Sequence, residues 1–489
     1  MHETAITGAD RQGSARPEQE RSLLRVMSLT DAVLLIVGGV IGGGIFLTSQ
    51  DVASQLPSPI LFLLVWVAGA GVSLLACFAF AELGAMFPEA GGQYVYLREA
   101  YGEFIAFLYG WIMFVAGSSG GIAANSVGFA QFFGVAVPGL AGDHVLGHVA
   151  GLGFRAGHWV RSDWLFTRGD VVALTAIAGL TILNVVGLRR ATVLQNVATW
   201  MKFAALAAFI GLGFLFGHGD WSHFSGAGFK DAFAHGFYPF MSVMGVAFIG
   251  VFWSYDGWIY ASWLGGEIRD PQRNLPRSLM IGMALIAALY ITMNAVYLYA
   301  LPVTGIAKSD VVAQSAASVL FSPRVAFWLS AVIALSCFGA LSSNIMAGAR
   351  VSYAMGRDGL FFQKMAGVHR KWRTPAFALI AQGVLSAAIA ISGTYVQLFT
   401  YTMFGLMISY VVTVAAVFVL RRKQPNRPRP YLCTGYPWLP LIYIVLIGGW
   451  AINALVERPR ESLAGSVLML IGVPGYLYWK RTNRKRAIS

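Results

Sequence analysis

Long apolar runs dominate the chain, separated by short polar or charged connections. A run of about 20 apolar residues, wound as a helix, matches the hydrocarbon thickness of a bilayer. Roughly twelve such spans can be placed, at about 28–50, 59–86, 99–134, 168–188, 194–217, 238–262, 277–301, 325–350, 376–393, 395–420, 438–456 and 463–480. The pattern predicts an all-α polytopic membrane protein, built as one domain with no soluble catalytic unit. The longest polar connection, 135–167, holds Pro138, His144, His148 and His158, and the next covers 218–237. The short charged connections 266–276 and 350–359 are expected to form small helices bracing one end of the bundle.

Two spans carry interruptions. The first reads Val37-Gly38-Gly39-Val40-Ile41-Gly42-Gly43-Gly44-Ile45-Phe46, with five glycines where a helix gains nothing from them. The sixth reads Phe252-Trp253-Ser254-Tyr255-Asp256-Gly257-Trp258, with a serine, an acid and a glycine mid-span. Lipid does not hydrogen-bond loosened backbone, so a break persists only where it faces protein or a cavity. Five-span units beginning at the first and sixth spans have opposite orientation, because five is odd. Corresponding breaks in two such halves are the mark of an inverted repeat with a site between them. The expected division is a disordered tail over 1–27, repeat one over about 28–217, repeat two over about 238–420, extra helices over about 438–480 and a basic tail over 481–489.

Composition agrees. The chain is 57% hydrophobic and 12% charged, against about 25% charged in soluble domains. The tail 1–27 lacks the apolar core and cleavage site of a signal peptide. The net charge of +13 raises nucleic acid as a partner, but its distribution argues for membrane lipid instead. With residue 1 inside, 26 of the 35 Lys and Arg fall on the inner side, 8 on the outer side, and Lys202 within a span. That asymmetry predicts both termini in the cytoplasm of a multi-pass cell-membrane protein, with no nucleic-acid partner. Cys77, Cys337 and Cys433 are scattered, which suggests neither a disulfide framework nor a metal knuckle.

The breaks supply chemistry. Free N–H groups at Gly42, Gly43 and Gly44 attract a carboxylate, and free carbonyls near Val40, Ile41, Trp253 and Ser254 attract an ammonium. Together they suit a zwitterion, of which an α-amino acid is the commonest small example. The alternative is close helix packing through Gly38-x-x-x-Gly42 and Gly39-x-x-x-Gly43, and the second break weighs against packing alone. Asp256 is an intramembrane acid, suited to a substrate ammonium, to carrying a proton, or to capping the second half-helix. Lys202 needs a partner within its span. It either props the broken first helix through its carbonyls, where another transporter would hold sodium, or snorkels to the nearby helix end. Trp253 is placed to gate the site. Gly117-Ser118-Ser119-Gly120-Gly121 fits a nucleophile-elbow string but lies within an apolar span, without the strand–turn–helix setting such a string needs. Ser119, Gly120 and Gly121 are read as room for a substrate side chain. Asp143, His144 and His148 resemble a metal site only weakly, so no metal and no cofactor is expected. Catalytic residues do not cluster at one depth, so an enzyme is not expected.

The strings Val40-Ile41-Gly42-Gly43-Gly44-Ile45-Phe46, Phe80-Ala81-Glu82-Leu83-Gly84, Gly91-Gly92-Gln93-Tyr94-Val95-Tyr96, Asn184-Val185-Val186-Gly187, Phe252–Trp258 and Asn274-Leu275-Pro276, in this order, resemble the amino acid–polyamine–organocation (APC) superfamily, and within it the L-type (LAT-like) transporters of the bacterial branch. The resemblance covers about 28–480. It implies a twelve-helix LeuT-type 5+5 inverted repeat with helices 1 and 6 broken, and alternating access. It implies substrate carboxylate on Gly43 and Gly44, ammonium at the Val40, Trp253 and Asp256 carbonyls, an aromatic gate at Trp253 and sodium independence from Lys202. Such proteins are exchangers (antiporters) or proton symporters. Asp256 departs from the small residue of animal members, and the outer loop has no cysteine, so no disulfide-linked heavy subunit is expected. The expected function is that of an amino acid permease. A polyamine or other organic-cation carrier is the alternative, and a non-transporting sensor a weaker one.

Overall fold

The computed structural model describes residues 23–154, 161–225, 236–393 and 395–488. Helices appear in the order α1 (Leu29–Val40), α2 (Gly44–Gln55), α3 (Pro59–Met86), α4 (Gln93–Tyr101), α5 (Glu103–Ile112) and α6 (Ser118–Ala136). A hairpin of β1 (Val145–Phe154) and β2 (Arg161–Thr167) follows, then α7 (Arg168–Val186), α8 (Leu188–Phe216), α9 (Phe237–Ser254), α10 (Tyr260–Trp263) and α11 (Pro271–Ala300). The remainder is α12 (Val303–Ala307), α13 (Val312–Leu320), α14 (Pro323–Arg357), α15 (Ala376–Ser392), α16 (Tyr395–Lys423), α17 (Trp438–Glu457), α18 (Pro459–Leu470) and α19 (Gly472–Ile488).

Among the described residues nine helices are long and apolar enough to cross a bilayer, and α1 with α2 crosses as a pair bent by 45°. Two shorter apolar helices, Phe240–Ser254 and Ala376–Ser392, fill the remaining expected places. The all-α polytopic reading therefore holds, and the twelve expected spans each fall on a helix. Starts are written locally. Ser28 caps α1 in a reciprocal box with Asp31, and Thr167 does the same for α7 with Asp170. Proline opens α3, α11, α14 and α18, where its missing N–H costs nothing.

Apolar side chains fill the interior and also cover the outside, because lipid does not penalise their exposure as water does. Trp200, Met201, Leu215, Val384 and Val445 are exposed, while Lys202, Asn294, Asn344, Ser342 and Ser343 are buried. The long α14 packs against α6, and α11 packs against α1 and α3.

The structure departs from the expected layout in four places. Residues 350–357 are the last turns of α14 rather than a separate brace. The 266–276 stretch holds a 3₁₀ turn at Gly265–Glu267 and then the start of α11. The long polar connection is not irregular: β1 pairs antiparallel with β2, with His148 opposite Leu165, and Trp164 donates to the Ile391 carbonyl at 2.8 Å. Finally, α12 and α13 lie in a stretch left unassigned between spans seven and eight. Their signal was a short one: Val312, Ala316 and Leu320 bury one face at four-residue spacing. Of the expected tail, 1–22 lies outside the described residues. Met27 is fully buried and forms an isolated bridge with Ile268, its N–H donating to the Glu267 carbonyl and its carbonyl accepting from the Arg269 N–H.

Candidate functional site

Both expected breaks are present. In the first, α1 stops at Val40, Gly42 N–H turns back to the Val40 carbonyl at 2.8 Å, and α2 begins at Gly44. The N–H groups of Gly43, Gly44 and Ile45 find no backbone acceptor among the described residues. In the second, α9 stops at Ser254 and α10 resumes at Tyr260. The carbonyls of Ser254, Tyr255 and Asp256 accept no backbone donor there. Gly257 has φ +112°, a conformation open mainly to glycine, and a Cβ on it would stand 2.9 Å from the Gly39 carbonyl. A Cβ on Gly44 would stand 3.0 Å from Ser254 Oγ. The two breaks therefore touch, and their glycines permit the approach.

Between them lies a cavity of about 60 Å³. Val40, Gly42, Gly43, Gly44, Trp253, Ser254 and Asp256 line it, joined by Tyr260 and Trp263. Ile41 does not. The third wall is Met113, Gly117, Ser118, Gly121 and Asn125, one face of the third span, which winds through a π turn at Met113–Gly117. Of the expected side-chain pocket, Gly121 lines the cavity, whereas Ser119 turns back to the Phe114 carbonyl and Gly120 lies off the wall. Ser118 donates to Asn344 Oδ1 at 2.8 Å and accepts from Gln382 at 2.5 Å. Asp256 accepts from the Tyr410 hydroxyl and has no cationic partner among the described residues.

Lys202 resolves between its two readings. It does not snorkel: it is fully buried, and Nζ donates to Gly38 O at 2.6 Å, Ile41 O at 2.5 Å and Ser336 O at 3.4 Å. The ammonium thus takes the carbonyls that α1 frees at its end, with one from α14. Ile41's carbonyl is consequently engaged by a lysine. Val40's accepts from Tyr290 at 2.9 Å as well as from Gly42. Tyr290, Tyr410, Asn125 and Asn344 were missed in the sequence because buried tyrosines and amides in long apolar helices carry no spacing signature.

Above the cavity, on the hairpin-bearing face, opens a vestibule of about 550 Å³. Trp253, Gly43, Gly121 and Asn125 line both spaces, so Trp253 stands at their boundary. The Met27-bearing face is closed by ion pairs. Arg350 holds Glu267 at 2.8 and 2.9 Å, both fully buried. Arg98 holds Asp358 at 2.7 and 2.9 Å, and Tyr94 donates to the same acid at 2.8 Å. Burial opposes the charge on Arg98, but Asp358 outweighs it and holds the guanidinium more firmly protonated than usual. Glu82 is held by Arg421 at 2.6 Å and by the Cys433 N–H at 2.7 Å. Burial, aided by the Glu82 charge, pushes the Cys433 thiol up to about 12. The 350–359 stretch thus does contribute to a closed end, as an ion-pair partner rather than as a helix of its own. Among the described residues no group of three or more His, Cys, Asp or Glu is placed to hold a metal ion. His158 lies outside them.

A family described as amino acid permease matches residues 27–471. The chain is 27% identical to the serine/threonine exchanger SteT of Bacillus subtilis over 470 residues, covering 95% of this chain and 98% of that one. It is 27% identical to the mouse b(0,+)-type amino acid transporter 1, over 92% of this chain and 86% of that one. It is 28% identical to the rat large neutral amino acids transporter small subunit 2, over 98% and 86%.

Proposed function

The chain belongs to the amino acid permease family, and on that premise we propose a sodium-independent amino acid carrier working by alternating access between the two breaks. The observation that supports this most is Lys202 on the Gly38 and Ile41 carbonyls. A fixed ammonium braces the broken helix and satisfies carbonyls that otherwise call for a mobile cation. The substrate carboxylate sits on the Gly43 and Gly44 N–H groups, at the positive end of α2. The ammonium sits near the Ser254 carbonyl and Asp256. Trp253 swings as the gate between vestibule and cavity. Among the described residues the vestibule opens on the hairpin-bearing face, and the charge asymmetry supports reading that face as external, with both termini in the cytoplasm of the cell membrane.

Exchange is the favoured mode, because one relative in sequence is named a serine/threonine exchanger. Proton symport is its competitor, with Asp256 as the carrier. The two repeats, about 28–217 and 238–420, rock about the touching breaks, while the last two spans stand outside them. We further propose that the carrier works without a disulfide-linked subunit. Purified protein in liposomes loaded with unlabelled amino acids should take up labelled amino acid equally in sodium and in choline medium. A requirement for sodium would remove Lys202 from its role. A second reading, an organic-cation carrier, is favoured by one observation: Asp256 lines the cavity with no cationic partner among the described residues. Inhibition by putrescine, absent with alanine, would support it.

A further inference from the structure

The vestibule carries charge that the central cavity does not use. One face of α2 reads Gly43, Leu47, Asp51 and Gln55, one residue per turn, and all four line the vestibule. Facing them, the corner between α17 and α18 turns Arg458 and Glu461 onto the same space. Asp51 and Arg458 are exposed and feel each other's charge across the opening, yet no ion pair joins them. An acid and a base thus stand apart on opposite walls, with open space between. Asp51 lies two turns above Gly43, about 12 Å away. That exceeds the reach of one amino acid backbone, so a molecule at the mouth is not also in the cavity.

We propose that this mouth is an entry subsite for the zwitterion, distinct from the central site and resting on the amino-acid reading above. The Arg458 guanidinium takes the carboxylate, which its fork of donors suits. Asp51 takes the ammonium, with Glu461 beside it. Trp253 lies between this subsite and the cavity below. The mouth raises the local concentration of substrate at the gate, as a charge-lined cleft does for a charged ligand. Two carboxylates to one guanidinium also set a preference: neutral and cationic amino acids enter more readily than acidic ones.

The test compares wild type with Arg458→Gln and Gly44→Val, each purified in lipid nanodiscs. The probe is the best-transported member of a labelled set of the twenty amino acids. Wild type should bind it in two classes, tight and weak. Gly44→Val crowds Ser254 and should lose the tight class only. Arg458→Gln should lose the weak class only, with KM for uptake raised on the order of fivefold, the scale of one exposed ion pair. The KM of wild type should rise with ionic strength, and that of Arg458→Gln should not. A single binding class in wild type, or a fall in saturating rate for Arg458→Gln with KM unmoved, would overturn the subsite while leaving the amino-acid reading standing. No uptake of any member by wild type would refute both.

Discussion

Lys202 shows how one side chain can hold the end of a broken helix. Among the described residues no carboxylate stands beside its buried ammonium, and three carbonyls accept from it instead. Replacing it by methionine would leave the Gly38 and Ile41 carbonyls without their donor, at about 1–3 kcal/mol for each unsatisfied group. Lys202→Met should therefore reduce uptake by at least about tenfold, while the protein still elutes as a single species on size exclusion. Retention of full uptake would show that α1 holds its break unaided. Asp256 supports a second prediction. If it carries a proton, Asp256→Asn should flatten the pH dependence of net uptake and leave exchange at fixed pH intact. An unchanged profile would leave Tyr410 as its partner in a purely structural bond. Cys433 gives a third. With its thiol held up to about 12, it stays protonated at neutral pH, and only the thiolate is nucleophilic. Labelling of Cys433 by a maleimide at pH 7 should be slow in folded protein and fast in denaturant. Rapid labelling of the native carrier would place that segment elsewhere.

At the scale of elements, the decisive units are the half-helices. α1 and α2 are each only 12 residues long, and neither spans alone. Their ends are left polar by geometry, and a neighbour must satisfy each pole: α8 supplies Lys202, α11 supplies Tyr290, and α9 supplies the facing break. The closed end depends on a different device, the buried pair between Glu267, just after α10, and Arg350 on α14. Removing one partner of a buried pair leaves a bare charge, at about 3–5 kcal/mol. Arg350→Met should lower the thermal midpoint and let solvent reach the cavity from the Met27-bearing side. The double variant with Glu267→Gln should recover part of the loss. A double variant as unstable as the single one would mean that the arginine acts through its Met346 carbonyl contact instead. Sequence reasoning located both breaks, because glycine clusters and an acid in an apolar run are locally anomalous. It placed Gly121 in the pocket but missed Asn125 and did not tell which of the neighbouring serines and glycines meet the cavity. Which residues of a glycine- and serine-rich helix face the cavity depends on how the helix is rotated, and the neighbouring π turn affects that rotation.

At the scale of the whole molecule, a cavity open through Trp253 to one face and closed by ion pairs at the other is one end state of a carrier. Alternating access requires the opposite arrangement to lie within a few kcal/mol. In Asn125→Cys, on the wall shared by cavity and vestibule, substrate should protect the introduced thiol from small thiol reagents. Absence of protection would place the substrate elsewhere. The sequence by itself determined the class of molecule, its succession of apolar spans and the two places where spans break. Each of these follows from local composition, since a bilayer penalises polar backbone and charge residue by residue. Only the tertiary structure decided which carbonyls Lys202 takes, which face of the third span meets the cavity and which end stands open. Those depend on contacts between residues far apart in the chain, and in lipid such contacts are set by shape and by hydrogen bonds between buried polar groups, which hydropathy along the chain does not encode.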